Sequence, residues 1–523
     1  MYLTYDTNQI PYGEANTVEQ QQQRTSSAPP FRPRWLIRIS DMKKVPGEQA
    51  SKEDGYCALS YSWTWSGERV TDKKGNQTVE DKGKHQIISS TGIPQDAKFI
   101  DVLRKIAQDL NVKYLWFDRE CVAMDQEEDK LNSLRTMDLT YSHADFTLAL
   151  VPEMEASHEL KSIYPTNNDN NLSQEQQRLY IETLENCLNK IITCEWSTRV
   201  WLLVEAMMSK RILYMGKDAH VWSDGLAQYT SSIRSGAKVS LEAIQSLSSF
   251  TTASHKDASK ILWHAHRRNT SLDYDRVFAL IHIFSTIDMP IRYGASEDLP
   301  NYMIEFYTKL IKKDWTMLCF GKQHPDYPCR MERYTEFMPS WTGISGTHIQ
   351  HTSMAQVPET HQRSIVVKEY SSTKEKDDRG KICIDTGSFS FLSHGVLERI
   401  DNNSTSLTGN EKHLEERYGI LWTHRFYKNK NDKNSIILLS LVIDDEEAEK
   451  ENGCIVLDIP FVWQTCVVRP VIVKKKRSVN NGNSSSSSSE PFLYQSIGLS
   501  ALLSPVALDH FGPVSETTSF IIQ

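Results

Sequence analysis

This 523-residue sequence lacks several common features, and each absence narrows what the chain can be. No run of about 18 apolar residues occurs, so no membrane-spanning helix is expected. The first residues, Met1-Tyr-Leu-Thr-Tyr-Asp6, do not follow the charged-then-apolar order of an export signal, and a soluble, cytoplasmic protein is expected. Positive charge is not in excess: 59 Lys and Arg stand against 67 Asp and Glu, a net charge of −8, so nucleic acid is not a default partner. Neither Gly-x-x-x-x-Gly-Lys nor Gly-x-Gly-x-x-Gly is present, which removes P-loop ATPase and dehydrogenase readings. The nine cysteines contain no Cys-x-x-Cys and are scattered, as suits a reducing compartment. Cys187 and Cys194 have no further ligand at metal spacing, and His264 and His266, two apart, would diverge on a helix, so no metal site is expected. Cys121 has no base near it in sequence and reads as a buried thiol rather than a nucleophile.

What is present is an alternation of short apolar runs and helical periodicities. Tyr56-Cys-Ala-Leu-Ser-Tyr-Ser-Trp63 reads as a buried strand whose end faces a cleft. Residues 66–92, charged and glycine-containing, read as a long solvated loop. Residues 96–110 have helical spacing with Asn111 as a stop, and residues 112–118 form a second strand ending in Asp118. A helix over 129–143, a strand over 146–151, a helix over 176–193, a helix to about Met208 and a strand over 211–215 complete a β-α-β pattern. That pattern predicts an α/β fold, a parallel sheet flanked by helices. Helical periodicity dominates from 220 to about 320, with helices over 241–250, 259–268, 275–284 and 300–312. Further on, β-like runs at 364–367, 381–384, 435–443 and 453–468 predict a β-rich C-terminal unit. The expected division is a disordered leader over 1–33, an α/β domain over 34–218, a helical region over 219–335, a β-rich unit over 336–470 and a largely disordered tail over 471–523. The tail includes the basic run Lys474-Lys-Lys-Arg477 and a serine tract.

The chemistry concentrates in Arg199-Val-Trp-Leu-Leu-Val-Glu205. Trp201 and Glu205 are four apart and share a helix face, an indole beside a carboxylate, a pairing that suits a nucleoside. Each residue also has a plainer reading: Glu205 as a surface carboxylate paired with Arg199 or Lys210, Trp63 and Trp201 as core indoles, Arg199 as the partner of a neighbouring acid.

Three blocks resemble the heterokaryon incompatibility (HET) domain of fungal allorecognition and cell-death proteins. They are Tyr56–Trp63; Tyr114-Leu-Trp-Phe-Asp-Arg-Glu-Cys-Val122 continuing to Met137 and Tyr141-Ser-His-Ala144; and Arg199–Glu205. The resemblance covers about residues 35–216 and extends, through Asp273-Tyr-Asp-Arg-Val-Phe-Ala-Leu280 and Pro339-Ser-Trp341, to about 345. The HET domain is in turn distantly similar to TIR domains, whose flavodoxin-like sheet carries a Trp-Cys-Leu-x-Glu helix motif similar to Trp201-Leu-Leu-Val-Glu205. This implies a TIR-like fold and hydrolysis of NAD or a related nucleotide as substrate, with no other cofactor, in the service of cell death. It makes Glu205 the catalytic carboxylate and Trp201 a pocket wall, with Ser60 and Tyr61 lining the site beside Trp63, Asp118 and Arg199. Three positions depart from the HET pattern: Thr64 in place of glycine, Met124 in place of glutamine, and Val204 in place of the glutamine before the glutamate. Those departures motivate a second expectation, a signalling module that self-associates or docks a partner without catalysis.

Overall fold

The computed structural model describes residues 2–6, 31–50, 54–62, 67–71, 77–81, 84–88, 94–122, 127–154, 174–216, 220–223, 257–322 and 329–348, together with strands and short flanks within 352–522. The chain forms two compact units. The first comprises Met1–Ser254, Asn269–Ile283 and Pro290–Arg292; the second comprises His255–Arg268, Phe284–Met289 and Tyr293–Gln523.

The first unit is built on a seven-stranded sheet: β1 (Trp35–Arg38), β2 (Lys43–Pro46), β3 (Tyr56–Ser60), β4 (Tyr114–Trp116), β5 (Phe146–Leu150), β6 (Ile212–Met215) and β7 (His220–Trp222), in the order β7-β6-β5-β3-β4-β1-β2. The four central strands β6, β5, β3 and β4 run parallel, and the outer pairs are antiparallel. Every residue of β3, β4, β5 and β6 is buried, which is why these segments read as unbroken apolar runs rather than alternating ones. The edge strand β2 instead exposes Lys43 and Lys44 and ends in Pro46, residues that discourage pairing with another chain. The fold is therefore α/β, with the flavodoxin-type order in which the first parallel strand is central.

Helix α1 (Phe99–Asp109) buries Val102, Leu103, Ile106 and Ala107. It ends where Asn111 takes the left-handed conformation (φ 54°), and the Val112 amide bonds back to Ala107, a Schellman closure that confirms Asn111 as the stop. After β4 come α2 (Asp118–Cys121), α3 (Glu127–Arg135) and α4 (Met137–His143). The single helix expected over 129–143 is thus two. At the junction the Thr136 hydroxyl bonds the carbonyls of Asn132 and Ser133, competing with the backbone ladder. Helix α5 (Gln174–Thr193) leads through the single turn α6 (Glu195–Thr198) into α7 (Val200–Met208). Helix α8 (Tyr274–Ile283), buried along its whole length, packs on α7. The segment just before it fixes the start of α7: Asn269 forms a parallel bridge with Arg199, and the Val200 amide donates to the Asn269 carbonyl at 2.9 Å.

Several stretches differ from the sequence expectation. The loop expected over 66–92 contains a hairpin of Gly67–Thr71 with Gln77–Asp81, and Lys84–Ile88 pairs with Pro94–Ala97. The β-branched residues Val70, Thr71, Thr78 and Val79 supply the strand preference that the surrounding charges concealed. Tyr2–Asp6, inside the expected leader, is a strand parallel to Lys84–Ile88. The helix expected over 241–250 lies outside the described residues.

In the second unit, helices Ala258–Ala265 and Leu299–Ile311 precede the strands. The Asp314 carboxylate joins two elements, accepting from the Ala258 amide at 2.6 Å and the Thr316 amide at 2.9 Å, so one anion satisfies two helix starts. Among the described residues, twelve strands within 352–522 form one sheet, as the β-rich expectation required. Leu493–Leu502 and Thr518–Ile522, in the segment expected as tail, both belong to it; Phe520, Ile521 and Ile522 are buried.

Candidate functional site

In a sheet of this order the connections leaving β3 and β5 diverge, one toward β4 and the other toward β6, and a crevice opens at the carboxyl ends of that pair. Ser60 is the last residue of β3 and lies in register with Ala149 of β5. Tyr61 and Ser62 follow it, and Asp118 opens α2 just past the end of β4. Glu205 approaches from α7. Chain order alone thus collects a hydroxyl, a phenol and two carboxyl groups at the switch point.

Glu205 is strongly perturbed there. Burial, joined by the charge of Asp118, pushes its carboxyl up to about 7, while the Ser60 hydroxyl, the Arg199 guanidinium and the Tyr141 hydroxyl pull the other way. The residue as a whole is half-buried, but its Oε2 has neither solvent contact nor a hydrogen-bond partner among the described residues. The Tyr61 hydroxyl is likewise buried and unpartnered, its ring set 6.4 Å from those of Phe99 and Phe117. Burial, and then Asp118, drives the Tyr61 phenol well above its ordinary range. Asp118 bears on both groups, raising each of them.

Hydroxyls and an indole hold the rest of the site in place. Trp196 of α6 donates from Nε1 to Ser60 Oγ at 2.8 Å. Ser62 donates to Glu195 Oε1 at 3.1 Å, so the end of β3 is tied twice to one short helix. Tyr141 of α4 donates to the Leu59 carbonyl at 3.1 Å, and burial raises its phenol far above the usual value, with Glu205 and Asp118 adding to the effect. The residue before the glutamate, Val204, is fully buried.

The structure brings together Ser60, Tyr61, Asp118, Arg199 and Glu205. Trp201 has the imidazole of His282 on α8 as a ring neighbour, 6.1 Å away. Trp63, with Thr64 and Met124, lies outside the described residues. Sequence reading missed Trp196 and Tyr141 as parts of the site. Tyr141 stood in the HET-like block Tyr141-Ser-His-Ala144 without a role in the site, and Trp196 fell before the quoted block; the available signal was that a buried indole N–H needs an acceptor.

Cys121 is buried, and burial pushes its thiol up to about 12, the behaviour of an inert core thiol. Among the described residues no group of three or more His, Cys, Asp or Glu side chains is arranged to hold a metal ion. No described helix is long and apolar enough to cross a membrane.

Residues 56–205 match the family model described as heterokaryon incompatibility protein (HET). The matched segment begins with the first residue of β3 and ends on Glu205, so it carries both sides of the site. No curated protein and no solved structure matches the chain.

Proposed function

Taking residues 56–205 as a HET domain, we propose that this protein acts in fungal allorecognition and programmed cell death by hydrolysing NAD or a related nucleotide at the nicotinamide–ribose bond, with Glu205 as the catalytic carboxylate. The observation that carries this reading is the placement of Glu205: a carboxyl pushed up to about 7, at the switch point of a doubly wound sheet, beside Ser60, Tyr61 and Asp118. Such a group is partly ionised at neutral pH and interacts strongly with positive charge developing nearby, because little water screens it. As the nicotinamide leaves, the anion stabilises the ribosyl cation, and water captures the sugar at the anomeric carbon. The leaving group departs as neutral nicotinamide and needs no acid. Arg199, beside the carboxylate, is suited to the pyrophosphate, and the Tyr61 hydroxyl to a ribose oxygen.

The test is NAD consumption by the purified full chain beside its Glu205→Gln variant. Loss of at least a hundredfold in the variant is expected; equal rates would remove Glu205 from the mechanism.

A second reading, a TIR-like module that signals by self-association or by docking a partner, is favoured by two observations. Oε2 of Glu205 has no solvent contact, and Val204 supplies packing where an amide is usual. On that reading Glu205→Gln leaves cell killing intact, whereas substitutions that block assembly abolish it.

A further inference from the structure

We propose that Ser209 and Thr147 are positioning residues for Glu205: two buried hydroxyls in series tie the peptide carbonyl of Glu205 to strand β5 and so fix the helix turn from which the carboxylate projects. The inference rests on the reading of Glu205 as the working carboxylate, and it deepens that reading.

The direction of the two bonds follows from donor and acceptor capacity. Ser209 Oγ lies 2.5 Å from the Glu205 carbonyl oxygen, which can only accept, so the single serine proton is engaged there. Thr147 Oγ1 lies 2.5 Å from the same serine oxygen, so in this pair the threonine donates and the serine accepts. Thr147 is 1% exposed and Ser209 6% exposed, and water hardly competes for either bond.

Each hydroxyl answers a need of the fold. Glu205 falls among the last four residues of α7, whose carbonyls have no following helical amide to accept from. Ser209 ends the helix in an extended conformation (φ −66°, ψ 134°) and turns its side chain back to supply a donor. Thr147 is the hydroxyl in the wholly buried central strand Phe146-Thr-Leu-Ala-Leu150, where a polar group without a partner is costly. Ser209 is that partner.

The tie completes a frame around α7. At the amino end the Val200 amide is held by the Asn269 carbonyl at 2.9 Å; at the other end three residues, Ser209 to Arg211, lead into β6, which pairs with β5 from Thr147 and Ile212 onward. A helical side chain leans toward the amino end of its helix, so the Glu205 carboxylate projects away from the anchored carbonyl. Loosening the anchor moves the base of that side chain.

The experiment follows the titration of Glu205 by carbon-13 NMR of the full chain labelled at the glutamate carboxyls, the resonance being assigned by its loss in Glu205→Gln, and measures kcat and KM for NAD on the same variants. Ser209→Ala is expected to free the turn, let water reach the carboxyl and lower its midpoint by about one unit, with kcat down about tenfold at unchanged KM. Thr147→Val keeps the shape and loses the hydroxyl, and is expected to lower the midpoint by about half a unit. Thr147→Ser is expected to keep the wild-type midpoint, and Thr147→Val to add nothing to Ser209→Ala. An unmoved midpoint in Ser209→Ala would overturn the proposal, as would an equal shift from Thr147→Val with and without the Ser209 hydroxyl. If Ser209→Ala does not fold, Thr147→Val decides, and an unmoved midpoint there overturns it. The NMR readout is independent of turnover. A chain that shows this pattern and consumes no NAD upholds the positioning role and sinks the hydrolase reading; one that consumes NAD with an unmoved midpoint does the reverse.

Discussion

The imidazole of His282 donates from Nδ1 to Asp138 Oδ1 at 3.1 Å, joining α8 to α4, and the same ring lies against Trp201 of α7. One side chain therefore connects three helices. Burial alone would raise the Asp138 carboxyl, but the His282 bond and charge outweigh it and hold the group below its ordinary value. Its contribution to stability is fully present above the unfolded carboxyl pKa of about 4 and is lost as pH falls through the lower folded value. Asp138→Asn is expected to cost about 1 kcal/mol at pH 7 and to flatten the acid limb of a urea-midpoint profile below pH 4.

Glu205 should behave with the opposite sign. Its folded pKa of about 7 lies above the unfolded value, so the folded state holds its proton longer. Stability is greatest below the unfolded pKa of about 4.3 and declines as pH rises through about 7. Glu205→Gln should therefore stabilise the protein at pH 8 by roughly 1–3 kcal/mol and change little at pH 4. Denaturation midpoints at the two pH values check this, and equal effects at both would contradict the buried-carboxyl account.

Tyr61→Phe removes a buried hydroxyl. The expected effect on folding is within about 1 kcal/mol of neutral, because the desolvation cost that disappears offsets the lost contact with Asp118. If the hydroxyl meets a ribose oxygen, the same substitution raises KM for NAD several-fold. A thermal midpoint that drops by several degrees would show that the hydroxyl is engaged in the unliganded fold.

Gly343 occupies the left-handed region at φ 68°, and a Cβ there would lie 2.7 Å from the His348 ring and 2.8 Å from that of Phe320. Both rings are buried. Gly343→Ala combines backbone strain with overpacking and should cost about 2–4 kcal/mol, read as a fall in the denaturation midpoint.

The four central strands were legible because burial on both faces writes an unbroken apolar run, as in Tyr56–Ser60 and Ile212–Met215. Asn111 was legible as a stop because the left-handed region admits few other residue types. The hairpin at Gly67–Thr71 and Gln77–Asp81 was not, since charged residues supplied no alternating apolar face to recognise. Within the site, Glu205, Ser60, Tyr61 and Asp118 could be named because strand ends and a helix motif single them out. Tyr141 and Trp196 could not, because their roles depend on which carbonyl and which hydroxyl lie opposite them across about 80 and 136 residues of chain. The contact of Trp201 with His282 was likewise not legible, since no local pattern tied the two residues.

The interleaving of the two units sets an order of events during synthesis. Asn269, which secures the start of α7, and α8, which packs on it, leave the ribosome only after residues 255–268 of the second unit have been made. Until then the helix bearing Glu205 has α4 and α6 against it and lacks α8. A chain arrested or cleaved shortly after residue 216 would carry the whole family-matched segment and still lack the cover of its principal carboxylate helix. The length needed for a competent site is therefore greater than the length that identifies it.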